Sequence, residues 1–111
     1  MRLLIVIVII LLIFWPKSPT RAEILDQHCY ALGQLAETIM NDRQQGKSPT
    51  EVLNSHVLPQ EPRVQGVARD IVFRAFEQPG FANHNSRQQS VQEFRNAIEL
   101  ECYLAETEET G

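Results

Sequence analysis

Leu25-Asp26-Gln27-His28-Cys29-Tyr30-Ala31-Leu32-Gly33-Gln34-Leu35-Ala36-Glu37-Thr38-Ile39 is the stretch on which the fold turns. Leu25, Cys29, Leu32, Ala36 and Ile39 recur at alternating intervals of four and three, which places them on one face of an amphipathic helix with polar residues between. The helix carries one of the chain's two cysteines on its apolar face. Gly46 offers a stop after Arg43.

Working outward, the same periodicity predicts three more helices and no strand. Ser48-Pro49-Thr50-Glu51 combines an N-cap serine, proline at the first helical position and glutamate at the third, so a short helix begins at Pro49 and ends near Val57, before Pro59 and Pro62. From Pro62 or Arg63, the residues Val64, Val67, Ala68, Ile71, Val72, Ala75 and Phe76 follow helical intervals until Pro79-Gly80, with Gly66 as a mild flaw. After the polar turn Asn83-His84-Asn85, Ser86 and Gln89 read as a capping box. Val91, Phe94, Ile98, Cys102 and Ala105 trace the apolar face of the last helix. The tail 106–111 is acidic and expected to be disordered.

The two cysteines acquire geometry from these helices. Cys29 lies in the early turns of the first and Cys102 in the late turns of the last, so antiparallel packing sets them side by side. A Cys29–Cys102 disulfide closing that loop contributes roughly 4 kcal/mol by the chain-entropy relation. This is comparable with the net stability of a small domain. The expected fold is therefore all-α, a compact bundle of about four helices with its first and last helices linked by one disulfide. Two buried free thiols are the rival reading. A redox pair is disfavoured because the CxxC spacing is absent.

Compartment follows from the leader, Leu3 to Trp15, an uninterrupted apolar run behind Met1-Arg2. As a helix it would reach about 20 Å against a hydrocarbon core of about 30 Å. Thr20-Arg21-Ala22 supplies small residues at the positions needed for cleavage before Glu23, so residues 1–22 read as a signal peptide and 23–105 as the helical domain. An uncleaved inner-membrane anchor is the alternative, since Lys17 and Arg21 balance the charge beyond the run. The expected location is periplasmic or secreted, with membrane contact only through an uncleaved leader. Asp26-Gln27-His28 before Cys29 does not fit a lipid-modified cysteine.

Removing 1–22 takes away Arg2, Lys17 and Arg21 and none of the 14 acidic residues, leaving a net charge of about −7. Such a surface disfavours a nucleic-acid partner. Chemistry candidates are few. His28, His56 and His84 lack the short paired spacing of zinc ligands and read as surface residues, so no metal and no cofactor is expected. Glu99 and Glu101 point about 200° apart on a helix. Glu101 adjoins the apolar seam and could be partly buried, a solvated edge being the commoner reading. Ser48 and Ser86 are caps, Ser90 has no companion motif, and no catalytic residue is assigned; the chain is read as not an enzyme. The aromatic group Phe73, Phe76 and Phe81 is the candidate partner surface, through which a homodimer is also open. Core packing competes with that reading. Arg69, Asp70 and Arg74 would form the solvated side of the same helix.

Cys29-x2-Leu32-Gly33-x2-Ala36-x2-Ile39-x3-Arg43-x2-Gly46-x-Ser48, then Ile71-x4-Phe76-x2-Pro79, then Phe94-x7-Cys102, resembles a group of small exported, single-disulfide, all-helical proteins of bacteria and their phages without assigned activity. The resemblance implies the helical one-disulfide fold and transfers no functional residue. In size, export and disulfide the chain is also similar to periplasmic acid-stress chaperones and to helical immunity proteins that block cell-wall amidases, by analogy of layout alone. The leading expectation is a non-catalytic binding protein of the bacterial envelope, inhibitor- or immunity-like, with one envelope protein as partner. The alternative is an acid-stress chaperone.

Overall fold

A capping box opens the first long helix of the domain. Thr20 Oγ1 accepts from the Glu23 backbone N–H at 3.2 Å, and Glu23 Oε2 accepts from the Thr20 N–H at 3.2 Å. The computed structural model describes residues 1–15 and 18–110, the last three as backbone only. Five helices follow in order: α1 (Arg2–Ile13), α2 (Arg21–Gln44), α3 (Pro49–His56), α4 (Pro62–Glu77) and α5 (His84–Thr110). Among the described residues there is no strand. Lys17, read as a flank of the leader, and Gly111, the end of the acidic tail, lie outside the described residues.

The all-helical fold and the Cys29–Cys102 disulfide match the expectation; the compact four-helix shape does not. The molecule is elongated, 72 × 33 × 25 Å, with five helices. The fifth is α1, in which every residue is exposed and none is buried, so it adds length without adding core. α2 and α5, of 24 and 27 residues, add to this: at 1.5 Å per residue they run about 36 and 40 Å. Among the described residues no helix is long and apolar enough to cross a membrane.

The helix ends explain where the elements stop. α2 closes with Gly46 at φ 86°, a left-handed position that glycine adopts without strain. The Gly46 N–H donates to the Arg43 carbonyl and the Lys47 N–H to the Asp42 carbonyl, both at 3.1 Å, which is the Schellman pattern. Ser48 caps α3 as expected, accepting from the Glu51 N–H at 3.2 Å, with Pro49 in the first turn. α5 departs from the expectation. Asn83, not Ser86, caps it: Asn83 Oδ1 accepts from the N–H groups of Asn85 at 2.7 Å and Ser86 at 3.4 Å. Asparagine is as good a cap as serine, and the earlier one in the chain takes the helix. At its other end α5 continues as helix through Thr110, past the Ala105 boundary read from the sequence.

α2 is the spine against which α3, α4 and α5 pack. The core joins Ala36, Ile39 and Met40 of α2 to Val52 and Val57, to Ala68, Ile71, Val72 and Ala75 of α4, and to Val91, Phe94 and Ile98 of α5. Leu32 is only partly buried and Val67 is exposed, because the core lies toward the Gly46 end of α2.

Candidate binding surface

Two kinds of contact hold the helices in register, and the space they leave is the candidate site. At one end, the Cys29–Cys102 bond joins α2 to α5 with the Cα atoms 5.5 Å apart, inside the range that bridged helices require. Cys29 is fully buried and Cys102 partly so. Gly33, one turn on, lets the helices approach closely: a Cβ there would stand 3.0 Å from Glu99 Oε2. Beside it Arg95 reaches Glu37 at 3.2 Å and lies 5.7 Å over the Tyr30 ring.

At the other end, Gln44 holds the α4–α5 connection. Its buried amide donates to the Pro79 carbonyl and accepts from the Phe81 N–H, both at 2.9 Å, so both sides of one loop are read by one side chain. Arg43 donates to the Gln78 carbonyl at 3.1 Å and lies 5.1 Å over the Phe76 ring. Nearby, Asp42 is buried and bonded to His56 Nε2 at 2.6 Å and to Lys47 Nζ at 3.1 Å, which ties α2 to α3. Burial pushes the Asp42 carboxyl up, but the hydrogen bonds from His56 and Lys47 outweigh it and hold Asp42 below its ordinary value.

Between these fixed ends α4 and α5 flank α2 and leave a valley. Near the disulfide it is a hollow of about 270 Å³ with Leu32, Val67 and Ala105 as its apolar lining over the buried Ile71 and Ile98, and Asp70, Glu101 and Glu106 on its rim. Toward the α4–α5 loop it is a hollow of about 280 Å³ lined by Glu77, Gln78, Ser90, Glu93, Phe94 and Ala97. Arg74 belongs to both linings. Its guanidinium binds both carboxylate oxygens of Glu101, the Nη2 contact at 2.7 Å, and so straps α4 to α5. The hydrogen bonds from Arg74 hold the Glu101 carboxyl below its ordinary value against a smaller upward push from burial. A further hollow of about 580 Å³ lies beyond the disulfide between the start of α2 and the end of α5.

The residues singled out in the sequence are distributed as follows. The cysteines are bonded. Phe76 packs against the core under Arg43, while Phe73 and Phe81 are exposed. His28 lines the valley near the disulfide and His84 begins α5, exposed. His56, read as a surface residue, is instead half-buried on Asp42, a pairing invisible in sequence because the partners lie on two helices joined by a tight turn. Arg74, read as part of a solvated side, is committed to Glu101. Among the described residues no group of three or more His, Cys, Asp or Glu side chains is placed to hold a metal ion. Comparison with protein-family models, curated proteins and solved structures finds no match, so the functional reading rests on the chain's own geometry.

Proposed function

We propose that this protein is a small exported, non-catalytic binding protein of the bacterial envelope, inhibitor- or immunity-like, engaging one envelope partner through the α4/α5 valley. The observation that carries this reading is the valley itself: a trough with an apolar stretch at Leu32, Val67 and Ala105 and a charged rim, on a scaffold whose two ends are fixed by a disulfide and by the Gln44 latch. An apolar stretch ringed by polar groups is the anatomy of a protein-binding patch. The disulfide suits an oxidising compartment, which supports a periplasmic or secreted location. The resemblance to small exported phage and bacterial proteins supports the same location.

A second reading, the acid-stress chaperone, draws on a specific feature. Asp42 and Glu101 each hold two helices together as depressed carboxylates, so strong acid would release both ties at once. Capture from envelope extract with the oxidised protein, beside a Cys29→Ser/Cys102→Ser version and at neutral and acidic pH, separates the readings. One stoichiometric partner held at neutral pH by the oxidised protein supports the binding reading. Many clients captured only in acid support the chaperone, and no capture at either pH overturns both.

A further inference from the structure

We propose that the occupant of the α4/α5 valley is a cationic amphipathic helix of the partner protein, and that Arg74 is the chain's own stand-in for one of its basic side chains. This rests on the binding reading above and names the chemistry of what is bound.

Shape argues for a helix. The two hollows run along α4 and α5, the one near the disulfide reaching down to Leu32 of α2, and on α5 their linings extend from Ser90 to Glu106. At 1.5 Å per residue that is about 24 Å, or four to five helical turns. A helix laid in such a groove presents anchors at intervals of three and four. Exposed apolar groups lie on both sides of Arg74: Val67 and Ala105 on one, Ala97 on the other.

Charge argues for a cationic one. Asp70, Glu77, Glu93, Glu101 and Glu106 line the valley, and among its described lining residues Arg74 is the only arginine or lysine. That one cation already shows how the rim treats a guanidinium, gripping it through both oxygens of Glu101. Because the pair is substantially exposed, its net worth is small and exchange for an incoming basic side chain costs little. The acidic rim would repel anionic lipid head groups. It would also disfavour a second copy of this net-negative chain.

The test titrates the oxidised protein, isolated from the envelope fraction, with two fluorescent amphipathic peptides of equal length and identical leucine pattern. One carries lysine and the other glutamate at the polar positions. The lysine peptide should bind saturably, one per chain, and weaken as salt is raised. Glu77→Gln/Glu93→Gln should weaken it by about tenfold, and Arg74→Gln, which frees Glu101, should tighten it. Equal binding of both peptides, or lysine-peptide binding indifferent to Glu77→Gln/Glu93→Gln, overturns the proposal. So does saturable binding of anionic vesicles, or self-association that buries the valley. A captured envelope partner that crosslinks to the valley while the lysine peptide fails to bind would overturn the cationic helix and leave the binding role standing. Capture that is unaffected by any change in the valley would refute the site itself.

Discussion

Arg74 of α4 and Glu101 of α5 meet through two hydrogen bonds across a valley, joining helices whose apolar faces are both turned to α2. With Asp42, whose carboxylate joins α2 to α3, it is one of two helix contacts made by a carboxyl held below its ordinary pKa.

The pH dependence of stability follows from those two groups. Each has a folded-state pKa below its unfolded value, so its contribution is present above the unfolded pKa and is lost as pH falls through the folded one. Stability to urea should fall as pH drops below about 4. Asp42→Asn and Glu101→Gln should each flatten that fall while lowering the neutral-pH value. For the exposed Arg74–Glu101 pair the neutral-pH loss should be about 0.2–1 kcal/mol. Urea midpoints across pH for the three proteins check this.

The disulfide should matter to the whole fold. Its loop spans a sequence separation of 73 residues, for which the chain-entropy relation gives roughly 4 kcal/mol. Cys29→Ser/Cys102→Ser, or a thiol reductant added to the native protein, should lower the unfolding free energy by about 2–4 kcal/mol. Equilibrium unfolding with and without reductant measures it.

Thr20 caps α2 even though the leader's expected cleavage lies two residues after it. A chain beginning at Thr20 should be more stable than one beginning at Glu23 by about 1 kcal/mol, and Thr20→Ala in the longer chain should remove most of that difference. Thermal unfolding of the three chains, compared at equal pH, decides it.

Gln44 is the single side chain that satisfies both Pro79 and Phe81. Gln44→Leu should cost about 1–3 kcal/mol, because it leaves a loop carbonyl and an N–H without their partner. Hydrogen exchange at the Phe81 amide should accelerate in this variant well before exchange in the α2 core.

Much of the fold was legible because apolar spacing speaks directly about helices. Leu25 to Ile39 announced α2, Ser48-Pro49 announced α3, and the two cysteines fell on faces that antiparallel packing brings together. Choices between chemically equivalent signals were less legible. Asn83 read as part of a polar turn and Ser86 as the cap, although asparagine caps as well as serine, and Thr20 read as a cleavage residue when it also caps. The site was less legible still. Arg74 and Glu101 stand 27 positions apart, Asp42 and His56 14 apart, and neither pairing leaves a periodic trace. The aromatic trio drew attention for its apolarity, yet Phe76 is spent on the core while the valley is marked by carboxylates that look, in sequence, like ordinary solvated residues.

The most direct test of the account is site-specific photocrosslinking in living cells, with the photoreactive residue placed at Ala97 or Ala105 inside the valley and at Arg63, exposed at the start of α4, as control. The account predicts one discrete adduct with a single envelope protein from both valley positions and none from Arg63. No adduct from the valley, or the same adducts from all three positions, would contradict it.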